Sequence, residues 1–124
     1  MNTPTQKTVL VIEDDAAIRR TLHGVLNDEG YEVTEAANGL EGLNRLRSGS
    51  RPNLILLDMM MPVMDGRTFS CRVGEEPTLA SIPVVVITAT GDCSQIRSSL
   101  PVLDCLHKPL DLNRLLDAVE RFAA

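Results

Sequence analysis

Five side chains with reactive or metal-binding groups lie at the ends of apolar runs. Asp58 comes directly after one such run, and Glu13 and Asp14 follow another. Thr88 ends a third run, and Lys108 closes a fourth. A carboxylate that emerges from a buried strand is a candidate nucleophile or metal ligand. The spacing therefore indicates nucleophilic or metal chemistry, provided that the fold brings these ends together.

The apolar runs are rich in Val, Ile and Leu and alternate with segments of helical periodicity, a pattern typical of a parallel sheet covered on both faces. We therefore predict an α/β fold with a doubly wound, five-stranded parallel sheet and five helices. The predicted strands are 8–12, 31–36, 54–58, 83–88 and 102–107. The predicted helices lie within 15–30, 40–48, 67–73, 92–100 and 111–124, and the fourth has only a weak apolar stripe.

In open parallel sheets of strand order 2-1-3-4-5, strands one and three are neighbours, and ligands bind at their carboxyl ends. Glu13, Asp14 and Asp58 would meet there. Three clustered carboxylates repel one another unless a proton or cation intervenes, and an all-oxygen site suits Mg²⁺. The alternative is that the acids cap the first helix; we assign that role to Asp15 and expect Asp111 to cap the last helix. Asp65-Gly66 is expected to form a turn that begins the third helix.

Composition limits the partners. With 124 residues and 44% hydrophobic content, we expect one domain over 1–124, with its core at about 7–123 and no output domain. A net charge of -5 without a basic stretch argues against direct nucleic acid binding. No apolar run approaches the roughly 20 residues of a membrane span, so we expect a cytoplasmic protein without membrane insertion.

The cysteines are predicted to be reduced thiols. Cys71, Cys93 and Cys105 are odd in number and widely spaced, and they form no C-x-x-C pair. Neither a disulfide framework nor a zinc site is therefore indicated. The low aromatic content of 2% provides little surface for stacking a base or a flavin.

From about Lys7 to Ala123 the chain resembles the receiver domain of two-component response regulators. The resemblance rests on four elements: Glu13-Asp14, Asp58 with its Met-Pro-x-Met-Asp-Gly continuation, Thr88-Ala89 and Lys108-Pro109. It implies a receiver topology in which Asp58 is the phosphoacceptor, the Lys108 ammonium and the Thr88 hydroxyl bind phosphoryl oxygens, and Mg²⁺ is the cofactor. Asp14 would bind the ion directly, Glu13 through water, and Met60 through its backbone carbonyl. In the family the Lys-Pro bond is commonly cis, although the sequence does not fix the isomer.

The chain departs from the family at positions that transmit the signal. Cys105 replaces an aromatic residue, and Leu100-Pro101-Val102 replaces the usual Gly-Ala pair. Thr88, Ala89, Thr90 and Cys105 are the expected switch residues. We hypothesise that the output travels through backbone movement of 89–100, since a thiol cannot sweep the volume of an aromatic ring. By their positions, Met60 and Thr90 are expected to tune the lifetime of the phosphoryl group.

The resemblance implies a stand-alone receiver, a switch and not a turnover enzyme. A sensor histidine kinase or histidine phosphotransfer protein would phosphorylate Asp58, and the altered surface would bind an unknown target as a monomer or a phosphorylation-dependent dimer. One alternative is a degenerate receiver that acts only as an interaction module. Another is an aspartyl-nucleophile phosphohydrolase of the haloacid dehalogenase type, which generally needs an acid where this chain has Met60. A flavodoxin-like cofactor binder is a third, although Glu13-Asp14-Asp15 would repel a bound phosphate.

Overall fold

The computed structural model describes residues 7–49, 51–89 and 91–123, in which five strands alternate with five helices. The strands are β1 (Thr8–Ile12), β2 (Glu32–Ala36), β3 (Leu54–Asp58), β4 (Val84–Thr88) and β5 (Asp104–His107). The helices are α1 (Ala16–Asp28), α2 (Gly39–Ser48), α3 (Gly66–Gly74), α4 (Cys93–Ser99) and α5 (Leu112–Phe122). None of these helices, within the described ranges, is long and apolar enough to cross a membrane.

The strands form one parallel sheet in the order β2-β1-β3-β4-β5, which confirms the predicted fold class and strand order. Ile12 pairs with Leu57, and Thr88 pairs with His107, so the carboxyl ends of β1, β3, β4 and β5 are nearly level. Every functional residue predicted at a strand end therefore lies near one edge of the sheet.

The sheet separates two apolar cores because successive strand residues point to opposite faces. Leu57 and Phe69 belong to the core that includes residues of α2, α3 and α4. Leu56 and Leu115 belong to the core that includes residues of α1 and α5. These four side chains are fully buried, and each such burial contributes about 2 kcal/mol. The two cores hold the strand ends, and with them the site, in fixed positions.

Each helix in the described part of the chain begins with an Asp or Asn whose side chain accepts backbone N–H groups of the first turn. These N-cap residues are Asp15, Asn38, Asp65, Asp92 and Asp111. The predicted caps at Asp15 and Asp111 and the predicted start of the third helix at Asp65-Gly66 are therefore confirmed, although Asp65 lies in no turn and Gly66 is already helical. Gly30 follows the end of α1 with φ of +94°, a backbone angle that glycine adopts without strain.

The segment around α4 and β5 differs in part from its prediction. The predicted weak helix is present as Cys93–Ser99, and Ile96 is its buried residue. The predicted start of β5 at Val102 is wrong, because the Val102 N–H donates to the Leu100 carbonyl in a turn at 2.8 Å. The strand begins only at Asp104.

Two of the cysteines form a disulfide, so the prediction of three reduced thiols is wrong for Cys93 and Cys105. Their Cα atoms are 5.5 Å apart, although 12 positions separate them in the sequence. Pairing of β5 with β4 brings Cys105 opposite Val86 and beneath the start of α4. This proximity depends on tertiary packing and not on a local cysteine motif. Cys71 is a free, exposed thiol.

The loop between β3 and α3 contains an unusual turn. The Met64 N–H donates to the Pro62 carbonyl at 2.7 Å, and Val63 between them has φ of +69°. A hydrogen bond between residues i and i+2 around a positive φ is the pattern of a strained γ-turn. Val63 is 76% exposed, so its side chain gains little from packing.

Candidate functional site

The acidic cluster consists of Glu13 and Asp14 after β1 and Asp58 at the end of β3. One carboxylate oxygen from each lies within 4.8 Å of the others. Glu13 and Asp58 are 1% and 2% exposed, whereas Asp14 faces solvent. Buried carboxylates this close cannot all be ionised without a compensating charge. The cluster that the sequence predicted is therefore assembled, and its electrostatics require a proton or a cation.

Lys108 supplies part of that compensation. Its Nζ atom lies 2.7 Å from Glu13 Oε1 and 3.5 Å from Asp58 Oδ2. The Lys108-Pro109 peptide bond is cis. Burial alone would lower the pKa of the Lys108 ammonium, but the carboxylates of Glu13 and Asp58 outweigh burial and raise it above its usual value. Lys108 is therefore a permanent cation at the site.

Glu13 titrates near neutral pH. Burial, reinforced by the neighbouring Asp58 carboxylate, raises the pKa of Glu13 to about 7. Lys108 and the Asp15 N–H, which donates to Glu13 Oε2 at 3.1 Å, act in the opposite direction. The metal-free cluster therefore holds a proton over part of the physiological range, and a bound cation would compete with that proton.

The donor set fits a hard divalent cation. Glu13, Asp14 and Asp58 offer only oxygen atoms, which Mg²⁺ prefers, and the exposed side of Asp14 leaves room for the waters that Mg²⁺ keeps. Glu13 Oε1 is buried and makes no hydrogen bond within the described residues besides its ion-pair contact with Lys108. The Met60 N–H donates to Asp58 Oδ1 at 3.2 Å, which places the Met60 backbone beside the cluster. Its carbonyl as a ligand stays a prediction.

Gly66 holds the backbone that follows Asp58. The Gly66 N–H donates to the Met59 carbonyl at 3.1 Å. A Cβ atom at Gly66 would lie 2.6 Å from the Asp58 carbonyl oxygen and 2.8 Å from Met59 Cα, both of which are backbone atoms. No side chain fits in that space without moving β3. Gly66 is therefore a structural residue, as predicted, but the reason is this close backbone approach and not an unusual backbone angle.

Two of the predicted switch residues, Thr88 and Cys105, lie on β4 and β5. Thr88 is fully buried at the end of β4, and the Lys108 N–H donates to its carbonyl at 2.8 Å. Ala89 is exposed, and Thr90 lies outside the described residues. Cys105 is buried in β5 and bonded to Cys93. Thr88 and Lys108 are thus held side by side at the edge of the sheet that carries the acids.

Sequence reasoning missed Arg19. Its Nη1 atom donates to the Glu13 carbonyl at 2.7 Å, and its Nε atom donates to Glu35 Oε1 at 3.0 Å. Glu35 Oε2 also forms a hydrogen bond with His23 Nδ1, with 2.6 Å between the two atoms. Arg19 therefore connects the backbone of the acidic pair to β2. The only signal in the sequence was an arginine in the first helix a few residues after two acids, which is too common to be informative.

An apolar groove of about 400 Å³ adjoins the site between α1 and the segment that follows β5. Lys108 belongs to its wall, so the groove leads directly to the edge of the acidic cluster. The remaining lining residues are Ala17, Ile18, Thr21, Leu22, Pro109, Leu110 and Leu112. Such a groove offers a docking surface next to the reactive residues.

Comparison with known proteins finds relatives that match most of the chain. A profile of the response regulator receiver domain matches residues 9–120. Sporulation initiation phosphotransferase F of Bacillus subtilis (strain 168) is 37% identical over 116 residues, which cover 92% of this chain and 91% of that protein. The chain spans about half the length of several transcriptional regulatory proteins that it also matches.

Solved structures with the same fold include the chemotaxis protein CheY4 of Vibrio cholerae. It superimposes with a TM-score of 0.87 at 28% identity and covers 95% of this chain and 99% of its own. The Mn²⁺-bound form of response regulator Rcp1 has a TM-score of 0.78 at 31% identity, with 94% of this chain and 93% of that chain covered. The similarity therefore extends over nearly the whole domain.

Proposed function

Because this chain belongs to the response regulator receiver domain family of two-component systems, whose members are phosphorylation-activated switches, we propose that Asp58 is its phosphoacceptor. The observation that carries the proposal is the position of the buried Asp58 carboxylate, which belongs to an acidic cluster that could hold a metal ion and also contacts the Lys108 ammonium. A nucleophile in that position could use both a bound metal ion and Lys108 to neutralise the phosphoryl group.

In the reaction, an Asp58 carboxylate oxygen attacks phosphorus, and the bond from phosphorus to the donor's imidazole nitrogen breaks. The electron pair leaves on that nitrogen, which the donor protonates. Lys108 stays charged and pairs with a phosphoryl oxygen, releasing part of its contact with Glu13. The Thr88 hydroxyl binds another oxygen. Attack of water on the acyl phosphate later restores Asp58, so the chain assists its own phosphotransfer and dephosphorylation but is not a turnover enzyme.

Mg²⁺ is the cofactor of this proposal. Asp14 and Asp58 would bind it directly, Glu13 through water, and Met60 through its carbonyl. When bound, it neutralises the negative charge that develops on the phosphoryl oxygens. The oxygen-only donor set supports this assignment, as does the divalent metal in the related Rcp1 structure.

A sensor histidine kinase or a histidine phosphotransfer protein is the proposed donor. The apolar groove beside Lys108 supports a protein donor, since its mostly apolar lining offers a docking surface next to Lys108, which contacts Asp58. The same proposal places the chain in the cytoplasm, where phosphohistidine donors are made from ATP. The output is a protein target bound by the altered surface, with the chain as a monomer or as a phosphorylation-dependent dimer.

Three other functions are less well supported. In a phosphohydrolase of the haloacid dehalogenase type, an acid two positions after the nucleophile serves the leaving group, but this chain has the exposed, apolar Met60 there. A degenerate interaction module would not need Glu13, Asp58 and Lys108 to be brought together. A flavodoxin-like phosphate loop is incompatible with the acids after β1.

The test is incubation with Mg²⁺ and acetyl phosphate, followed by intact-mass measurement of the wild type, Asp58→Asn and Asp111→Asn. Asp111→Asn is the matched control, because asparagine also caps α5 and the change lies outside the site. We expect one phosphoryl adduct on the wild type and the control and none on Asp58→Asn. An adduct on all three proteins would show that a residue other than Asp58 is the acceptor. The absence of an adduct on every protein would favour the degenerate interaction module. Rapid turnover of many phosphate esters would favour the hydrolase.

A further inference from the structure

The disulfide joins the first residue of α4 to the middle of β5. Cys93 begins the helix and is partly buried, and Cys105 is 6% exposed in the core beneath it. In a reducing compartment a disulfide is usually transient and serves catalysis or redox sensing. Its position relative to the site indicates which of these it serves.

Each cysteine of the disulfide lies close in sequence to a residue proposed to bind the phosphoryl group. Thr88 lies five residues before Cys93, and Lys108 lies three residues after Cys105. Near the site, the Lys108 N–H donates to the Thr88 carbonyl at 2.8 Å and connects the end of β4 to the residue after β5. Near α4, the disulfide connects the start of the helix to β5. Thr88 and Cys93 are therefore both tied to β5 or to the residue that follows it.

Apart from the disulfide, α4 is weakly attached. It has seven residues, of which Ile96 is buried. The ion pair between Arg97 and Asp104 spans 3.5 Å with both side chains partly exposed, and such pairs contribute little. Arg67 Nη1 donates to Ser99 Oγ at 3.4 Å near the other end, a long and exposed hydrogen bond. The covalent bond is therefore the main restraint on the start of this helix.

We propose that Cys93 and Cys105 form a redox site, a disulfide reduced by a dithiol protein of the thioredoxin class, whose state controls the coupling between Asp58 and α4. The inference rests on the function proposed for Asp58. In the oxidised form α4 is held against β5, and phosphorylation leaves its position unchanged. In the reduced form α4 is released and responds to the phosphoryl group.

The exchange is balanced without any further reactant. A thiolate of the reductant attacks Cys93 Sγ, the more accessible sulfur, and the electron pair of the S–S bond leaves on Cys105 Sγ, which takes a proton. The second thiol of the reductant then attacks the mixed disulfide at the reductant's own sulfur and releases Cys93 as a thiol. Two electrons and two protons pass to the chain, and the reductant becomes a disulfide. Oxidised glutathione reverses the reaction by the same steps.

The first measurement counts thiols by alkylation with N-ethylmaleimide under denaturing conditions, followed by intact mass. After treatment with oxidised glutathione, we expect one cysteine outside the disulfide, Cys71, which carries either N-ethylmaleimide or a glutathione adduct distinguished by its mass. After reduction by thioredoxin, we expect all three cysteines of the chain to be alkylated. Cys71→Ser is the control and should lower each count by one. Three reactive thiols in the glutathione-treated protein, or one after thioredoxin, would overturn the redox site.

The second measurement is hydrogen exchange of residues 93–99 with and without Mg²⁺ and beryllium fluoride, an analogue of the phosphoryl group. We expect a change in α4 exchange in the reduced wild type and in Cys93→Ser, and its loss in the oxidised wild type. Cys71→Ser should behave like the wild type in both states. The same response in both redox states would overturn the coupling. Beryllium fluoride without effect on exchange anywhere near Asp58 would instead contradict the proposed function, whereas the thiol count would be unaffected.

Discussion

At the scale of single residues, Arg19 connects the acidic cluster to the far strand of the sheet. It donates to the Glu13 carbonyl and to Glu35, so it fixes the backbone from which Glu13 and Asp14 project. Its guanidinium can make these two contacts at once because its donors form a rigid fork. Arg19 is therefore a positioning residue, since it orients the proposed metal ligands and is not one of them.

We predict that Arg19→Gln weakens Mg²⁺ binding by about tenfold, the usual effect of removing a group that orients metal ligands. The neighbouring exposed arginine is a matched control, and Arg20→Gln should leave the affinity unchanged. Titration with Mg²⁺ followed by calorimetry measures the effect directly. Equal affinities for both variants would show that the acidic pair is held without Arg19.

Residues at strand ends were predictable, and Arg19 was not, for a physical reason. Asp58, Thr88 and Lys108 each follow an apolar run, and parallel strands bring their carboxyl ends together whatever the detailed packing. The contact of Arg19 with the Glu13 carbonyl depends on how α1 lies against the sheet. No periodicity in the sequence encodes that arrangement.

At the scale of elements, the turn at Val63 stores strain in the loop that follows Asp58. A residue held at an unfavourable backbone angle costs about 1–3 kcal/mol, and the exposed side chain offers little in return. We predict that Val63→Gly raises the free energy of unfolding by about 1 kcal/mol, after allowing for the greater freedom of glycine in the unfolded chain. Urea unfolding measures this. Val63→Ala keeps the Cβ atom and is the control; an equal gain in both variants would contradict backbone strain as the cause.

Sequence patterns predicted the helices and strands but not the connection between α4 and β5. The five helices followed from alternating periodicities, with Asp15 and Asp111 as predicted caps, whereas the strand order followed from the resemblance to receiver domains. The late start of β5 and the disulfide did not, because both depend on how the chain folds back between Leu100 and Cys105. Two cysteines 12 residues apart become neighbours only when β4 and β5 pair. Local signals predicted the elements, and tertiary pairing decided their junctions.

At the scale of the whole molecule, the site makes stability depend on pH. The pKa of Glu13 is about 7 in the folded chain, compared with 4.5 for an unperturbed glutamate side chain. Between these values the folded state binds more protons than the unfolded state, so this group's contribution to the free energy of unfolding falls as pH rises. We predict that the metal-free wild type loses stability relative to Glu13→Gln between about pH 5 and about pH 8.

Mg²⁺ should reverse that loss in the wild type, since it replaces the proton and binds only the folded chain. It should have a smaller effect on Glu13→Gln. Thermal unfolding of both proteins across this pH range, with and without Mg²⁺, measures the difference. A constant difference between the two proteins at all pH values would contradict titration of Glu13 as its source.

The division of the fold into two cores places the groove and α4 on opposite faces of the sheet. The groove beside Lys108 lies against α1, on the face shared with α5, whereas α4 packs on the other face. If the proposed phosphodonor occupies the groove, the α4 side stays uncovered. We therefore expect that a target bound at α4 could be held together with the donor, in a ternary complex that transfers the signal without release and diffusion between the two steps.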